Sequence, residues 1–228
     1  MVPMNTNRID DGDSSPGARR SRSPRGQGER LRTEILAAVA RLLDEQVRHP
    51  DLPLSLREVA KETGIATQSL YLHFTSKESL AWAAAADGYD RLVEAMREAE
   101  RTTPGGPAGR LRAQAHAFWQ FAADNRGVFR LMFGHNVSRL SPDDGPQHPG
   151  GRLWRQWLDA VQACEDAGAA WPEGAEQVAL HLWSALLGRF ALWSTTFGPE
   201  DTADPAEFTD YLLDQSLAGR KRKKKGPR

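Results

Sequence analysis

Apolar side chains recur three and four residues apart along most of this 228-residue chain, and no segment alternates apolar with polar positions as a strand would. Leu31, Ile35, Val39 and Leu42 set the pattern in "RLRTEILAAVARLLDEQ". Trp82, Ala85, Tyr89, Leu92 and Met96 repeat it from Ser76 to about Arg101. On a helix such positions share one face, so each segment has an apolar stripe that must be buried against another. The spacing predicts an all-α fold. Further helices are expected from Arg110 to Ala123, Arg126 to Gly134, Arg152 to Ala167, Glu173 to Phe197 and Ala206 to Leu217. A loop dense in Pro, Gly and Asp separates them from about Asn136 to Gly151. Thr75 and Glu78 have capping-box spacing at the start of the long helix, with Ser76 as a competing cap.

Between the first stripe and the long one the punctuation is denser. "VRHPDLPL" breaks the first helix with Pro50 and Pro53; Ser55 is then the candidate N-cap of "LREVAKET", Gly64 ends it, and "ATQSLYLHF" follows at once. Ala60 four residues before Gly64, Ile65 just after it and Leu70 six on form the pattern of a helix-turn-helix. Val59, Ile65, Leu70 and Phe74 would make its small core, which turns Thr67, Gln68 and Leu72 outward. The second helix of such a pair enters the major groove by its N-terminal end. There Gln68 has the two groups needed to hold adenine, and Thr67 or Ser69 can meet a phosphate or a thymine methyl.

The stretch "LREVAKETGIATQSLYLHFTSKESL" closely resembles the TetR-type transcriptional regulators. Their mark is a glycine, a small polar run, Leu-Tyr-x-His-Phe and a lysine at the next helix start, here Leu70, Tyr71, His73, Phe74 and Lys77. "TEILAAVARLL" matches the family's first helix, so the strong resemblance covers residues 30 to 85. Family members usually join the first two helices by a short loop with a glycine, whereas "VRHPDLPL" is longer and proline-punctuated. The resemblance implies that Tyr71, His73 and Lys77 hold the DNA backbone, with scaffolding of the turn equally open for His73. It also places Ser55 and Arg57, at the start of the pair's first helix, within reach of bases or phosphates.

The family resemblance further implies a homodimer on a palindromic double-stranded DNA operator, joined through residues 173–197 and 206–217. A ligand entering the second half would tilt the helix from Ser76 to Arg101, shift the spacing of the two heads and release the DNA, as in a repressor. "NRGVFRLMFG" and "LHLWSALLGRFALW" resemble segments of TetR-type ligand domains. The second is similar to a Trp-then-Gly motif of one subgroup, with Leu187 where that subgroup has histidine. Large aromatics in an all-helical domain are core residues first. So many of them can also line an apolar cavity, which makes Trp119, Phe129, Phe133, Trp154, Trp157 and Trp183 candidates for holding an unidentified apolar effector.

Charge adds little until it is divided along the chain. Thirty basic and thirty acidic residues cancel, but residues 106–219 hold eight basic and fourteen acidic groups, and residues 220–228 hold seven basic and none acidic. The chain is therefore read as a disordered arm (1–28), a helix-turn-helix domain (29–75), a connecting helix (76–101), a ligand-binding and dimerisation domain (102–218) and a basic tail (219–228) that attracts phosphates or merely solubilises. Cys164 is the only cysteine, so no internal disulfide or cysteine zinc cluster can form. His116, His135 and His181 lack metal-ligand spacing, and no catalytic constellation is readable, so no cofactor, metal or enzymatic activity is expected. No run approaches the ~20 apolar residues of a membrane span and no signal peptide is visible, which predicts a cytoplasmic protein without membrane contact. A helical small-molecule carrier or enzyme with a relic DNA-binding head is the alternative class.

Overall fold

The structure, a computed structural model, describes residues 27–49, 55–134, 148–195 and 204–218. Among these residues it is built from helices alone, in the order α1 (Gln27–Arg48), α2 (Leu56–Thr63), α3 (Thr67–Tyr71), α4 (Lys77–Thr102), α5 (Pro107–Asp124), α6 (Arg126–Phe133), α7 (Gly150–Asp166), α8 (Ala175–Thr195) and α9 (Pro205–Leu217). The all-α expectation holds. The first 26 residues, Pro50, Pro53, the loop 135–147, residues 196–203 and the basic tail lie outside the described residues.

Several helix boundaries differ from expectation by a few residues, among them the starts of α7 at Gly150, α8 at Ala175 and α9 at Pro205. Helix α1 opens at Gln27, inside the stretch read as a disordered arm. Helix α5 opens at Pro107 rather than Arg110, because proline suits the first helical turn, where its missing N–H has no partner to lose. Helix α4 is capped by Ser76, not Thr75. The Ser76 hydroxyl accepts from the Ser79 amide at 3.1 Å, and the Ser79 hydroxyl accepts from the Ser76 amide at 3.0 Å, so Ser79 takes the place expected of Glu78.

Helix α4 is the spine. It packs against α5, α6 and α7 and reaches α1, while α1 also packs on α2 and α6, α7 on α8, and α9 on α5 and α8. The buried apolar residues form one continuous cluster, from Ile35 and Val39 of α1 through Leu80, Leu92 and Met96 of α4 to Leu213 of α9. Helix α9 is also clamped to α5 by Arg112, which donates to Asp210 at 2.6 Å and to Asp214. That hydrogen bond holds the Asp210 carboxyl below the usual carboxylate range.

Two polar contacts tie α6 to the elements beside it. The Tyr89 hydroxyl of α4 donates to the Met132 carbonyl at 2.8 Å, and burial pushes the phenol up to about 12. At the other end of α6, the Gly127 amide donates to the Asp44 carboxylate of α1 at 2.6 Å. An acidic group there satisfies an unpaired helix N–H and suits the positive end of the helix dipole. The approach is close enough that a Cβ on Gly127 would lie 2.2 Å from the Leu43 carbonyl carbon and 2.4 Å from its oxygen.

Alanine in place of a helical glycine normally gains about 1 kcal/mol, whereas overpacking costs about 1–3 kcal/mol, more where backbone must move. Because the clash at Gly127 is with backbone, it wins. Gly127→Ala is expected to lower the denaturant midpoint by the equivalent of about 1–2 kcal/mol. A raised midpoint would show that α1 and α6 separate freely.

Candidate nucleic-acid interface

The α2-turn-α3 unit is built by caps and three buried side chains. The Ser55 hydroxyl accepts from the Glu58 amide at 3.2 Å and starts α2. Gly64 ends the helix in the left-handed region, at φ +70°, where a side chain would be strained. The next amide, of Ile65, returns to the Ala60 carbonyl at 3.0 Å and turns the chain sharply into α3. Val59, Ala60 and Leu70 are buried beneath, with Ile65 half-buried against them.

Helix α3 is a single short turn and a half, Thr67–Tyr71, rather than the whole of "ATQSLYLHF". Leu72 and His73 sit in the turn that follows, their amides bonded to the Ser69 and Leu70 carbonyls at 3.2 and 3.0 Å. Phe74, four residues after Leu70, is 2% exposed, and its amide still bonds to the Leu70 carbonyl at 3.0 Å, which keeps this turn compact.

Burial of Leu70 and Phe74 decides what faces outward. Gln68 is exposed, Tyr71 is 51% exposed and Leu72 is 84% exposed, so Tyr71 is not a core aromatic. Thr67, Ser69 and His73 are half-buried. Lys77 is exposed at the first position of α4, and Arg57 is exposed in the first turn of α2. Thr67, Gln68, Ser69, Tyr71, Leu72, His73 and Lys77 thus follow one another along a single short helix, its turn and the next helix start. Ser55 and Arg57 stand at the start of the supporting helix, with the Ser55 oxygen already engaged as a cap.

One side chain of this unit was not singled out from the sequence. Arg32 of α1 lies with its guanidinium 4.7 Å from the centre of the Phe74 ring. It brings a cation from the first helix to the end of α3, across 42 residues of chain that no local periodicity links.

The aromatic candidates of the second half form a chain of rings. Trp154 and Trp183 stack at 5.4 Å, Trp183 meets Phe133 edge-on at 6.4 Å, and Phe133 lies 4.6 Å from Phe129. Phe190, 4.3 Å from Phe129, continues it to Trp119 at 6.0 Å. Trp157 stands apart from this sequence of contacts. It is buried and its indole donates to the Ala179 carbonyl at 3.0 Å, which fastens α7 to α8. An open cleft of about 560 Å³ between α6 and α8 is lined mainly by apolar residues, among them Phe129, Phe133, Leu187 and Phe190, with Arg130 and Ser194 as its polar members. Phe118, not among the candidates, lies at the hub, 5.4 Å from Phe129 and 6.4 Å from Phe133.

Comparison with known proteins gives matches at both ends of the chain. The family model for "Bacterial regulatory proteins, tetR family" matches residues 52–84. The model for "Tetracyclin repressor-like, C-terminal domain" matches residues 111–216. The HTH-type transcriptional activator FasR of Mycolicibacterium smegmatis is 30% identical over 156 residues, 68% of this chain and 65% of that protein, so the match spans just under two thirds of that relative. A solved protein of unknown function from Rhodococcus sp. RHA1 superposes with a TM-score of 0.69 at 26% identity, covering 86% of this chain and 98% of its own. The TetR family transcriptional regulator PfmR from Thermus thermophilus has a TM-score of 0.60 at 21% identity, covering 82% and 99%, which is a likeness of fold.

The opposed exposures of neighbouring leucines in the α3 unit have a direct test. Leu70→Ala is expected to cost about 3 kcal/mol, read as a lower urea midpoint, because it empties a fully buried site. Leu72→Ala should change the midpoint by no more than about 0.5 kcal/mol. Equal losses would mean that Leu72 is covered.

Proposed function

The chain belongs to the TetR family of bacterial regulatory proteins, and from that premise we propose that it is a homodimeric, DNA-binding transcriptional regulator acting in the cytoplasm. Its proposed action is repression, relieved when a small apolar molecule enters the aromatic body. In this reading residues 29–75 read DNA, 76–101 connect, and 102–218 bind the effector and dimerise.

The observation that carries the proposal is the outward face of α3 and its turn. An exposed glutamine, an exposed tyrosine and a leucine left 84% exposed are held on a rigid buried base of Leu70 and Phe74. Gln68, in the first turn of α3, is the base reader, with Thr67 and Ser69 beside it. Leu72 offers an apolar contact of the kind that suits a thymine methyl. Tyr71 and Lys77 bind phosphates, the latter next to free amides at the α4 N-terminus. Arg57 reaches a base or a phosphate from α2, as does Ser55, while His73 either joins the phosphate grip or holds the turn.

The outward face of α8 supports a second copy as partner. Gln177, Leu180, His181, Ser184, Gly188 and Leu192 are exposed along one side of the helix, with no carboxylate, lysine or arginine among them. Leu180 and Leu192 are 45% and 47% exposed, and Tyr211 of α9 is 64% exposed. Uncharged, partly apolar faces of this kind are what isologous helix interfaces bury. Two heads joined this way would read half-sites one DNA turn apart, ~34–36 Å. A ligand then releases the DNA only by as much as it prefers the released arrangement, and near-complete switching needs about 5.5 kcal/mol of preference.

A second direction of control is favoured by one observation. The 30% identical relative from Mycolicibacterium smegmatis is named a transcriptional activator. A reporter driven by the regulated promoter separates the two: deletion of the gene raises expression under repression and lowers it under activation.

DNA binding is tested by mobility shift on the region upstream of the protein's own gene. Gln68→Ala is expected to relax sequence preference by about 1–3 kcal/mol at one base position. Lys77→Ala should weaken binding to all sequences alike and reduce the salt slope by about one. Absence of any sequence-preferring, salt-sensitive complex would sink the regulator reading. For the dimer, Leu180→Glu combined with Leu192→Glu is expected to yield monomers in sedimentation, since like charges would meet across the two-fold axis. A persistent dimer would place the interface elsewhere.

A further inference from the structure

The aromatic body contains hydrogen-bonding capacity that its own residues do not meet. Among the described residues the buried side-chain polar atoms left without a partner are all nitrogens, among them Gln114 Nε2, Trp119 Nε1 and Trp183 Nε1. Buried polar groups in folded proteins are nearly always paired, so such exceptions ask for a partner. These atoms are donors, and an indole N–H can only donate.

The orientation of Gln114 is set by its neighbours. Arg97 donates to the Gln156 oxygen at 3.0 Å, and Gln156 donates its nitrogen to Glu100 at 3.1 Å and to the Gln114 oxygen at 3.0 Å. Arginine has no acceptor and a carboxylate no donor, so the chain of amides runs one way and leaves the Gln114 nitrogen over. Gln114 is fully buried on α5, one turn before Phe118.

Of the residues with an unpaired indole, Trp183 is the one whose side chain borders the crevices beside Phe118. With Phe118, Leu153, Trp157 and Leu186 it lines crevices of about 190 Å³, none wide enough to seat a water molecule. Water is therefore not the missing partner in this arrangement. Apart from the indoles the lining is hydrocarbon and contains no charged group. Phe133, half-buried and edge-on to Trp183, stands between these crevices and the open cleft that Phe129, Leu187 and Gly188 help to form.

We propose that the effector is a flat, electrically neutral molecule with a carbonyl-type oxygen, which enters past Phe133, opens the crevices among Phe118, Leu153, Trp157 and Leu186, and accepts a hydrogen bond from Trp183 Nε1. The inference rests on the reading of residues 102–218 as the ligand-binding domain and adds the chemistry of what they bind. A flat apolar body matches walls made of ring faces and edges. An oxygen acceptor answers the unpaired indole. Charge is excluded because an ion placed among hydrocarbon side chains, with no counter-charge in the lining, loses its hydration without recompense. Displacement of Phe133 moves the C-terminal end of α6, whose other end is bonded to Asp44 of α1, so occupancy of the crevices is felt in the head.

The test compares three probes of one shape by calorimetric titration of the full chain: naphthyl methyl ketone, ethylnaphthalene and naphthoate. The ketone should bind about tenfold more tightly than the hydrocarbon, the usual worth of one neutral hydrogen bond, and naphthoate more weakly than either. In Trp183→Phe a smaller aromatic ring remains and the N–H is removed, so the ketone should lose its advantage over ethylnaphthalene, whatever the common change in affinity of the two. In the wild-type protein the Trp183 indole proton resonance should move downfield with the ketone alone, a measurement that does not depend on how the variant folds. Equal binding of ketone and hydrocarbon, an indole resonance that ignores the ketone, or a preference that survives in Trp183→Phe overturns the role of Trp183 and leaves the pocket standing. Tightest binding by naphthoate overturns neutrality. If none of the three binds, the ligand-domain reading itself fails, and the proposal with it.

Discussion

Burial of α4 on several sides at once is the constraint on which the rest depends. The helix has 26 residues and spans about 39 Å, long enough for Leu80 to be buried near the helix-turn-helix while Met96 is buried in the body. Small residues let neighbours approach it: Ala83, Ala84 and Ala85 are all buried. Because one continuous apolar cluster runs through it, a displacement of α5, α6 or α7 cannot be absorbed by a soft joint at residue 76. Close-packed interiors transmit strain rather than dissipate it, and in the proposed mechanism α4 would carry a displacement in the body to α1 and the head.

The face offered to DNA depends on a contrast within five residues. Leu70 and Phe74, four residues apart, are pulled in, and Tyr71 and Leu72 between them are pushed out. Phe74 is buried beside Leu70, and Arg32 of α1 covers its ring. The residues proposed to grip phosphate and to read bases are then set by the same small core.

Periodicity made the existence of the helices legible, because an apolar stripe has only one efficient way to be buried. Their ends were less so. Thr75 and Ser76 are adjacent hydroxyls with equal chemical claim to cap α4, and the choice fell to whichever could exchange bonds with a partner three residues on, here Ser79. The motif from Gly64 to Lys77 was legible as a set of residues, since its exposed and buried positions follow from local helix geometry. The neighbours of each aromatic ring were not. Trp157 and Trp183 looked alike in sequence, yet one indole meets the Ala179 carbonyl and the other is left unmet, a difference set by how α7 crosses α8. The contacts of Arg32 with Phe74 and of Asp44 with Gly127 join residues 42 and 83 positions apart, beyond any pattern along the chain.

The contact at Gly127 also bears on modularity. Helix α1 belongs to the DNA-binding head by position, but its last turns lie so close to α6 that backbone meets backbone. In this chain the head is therefore not a separable part with a seam at the start of α4. A graft that preserves function has to divide α1 itself, keeping Leu43 and Asp44 with the recipient body, or else import a donor α6 with glycine at the matching place. Substitution at this contact is held to the same rule: a side chain at residue 127 needs a compensating shift of the Leu43–Asp44 backbone.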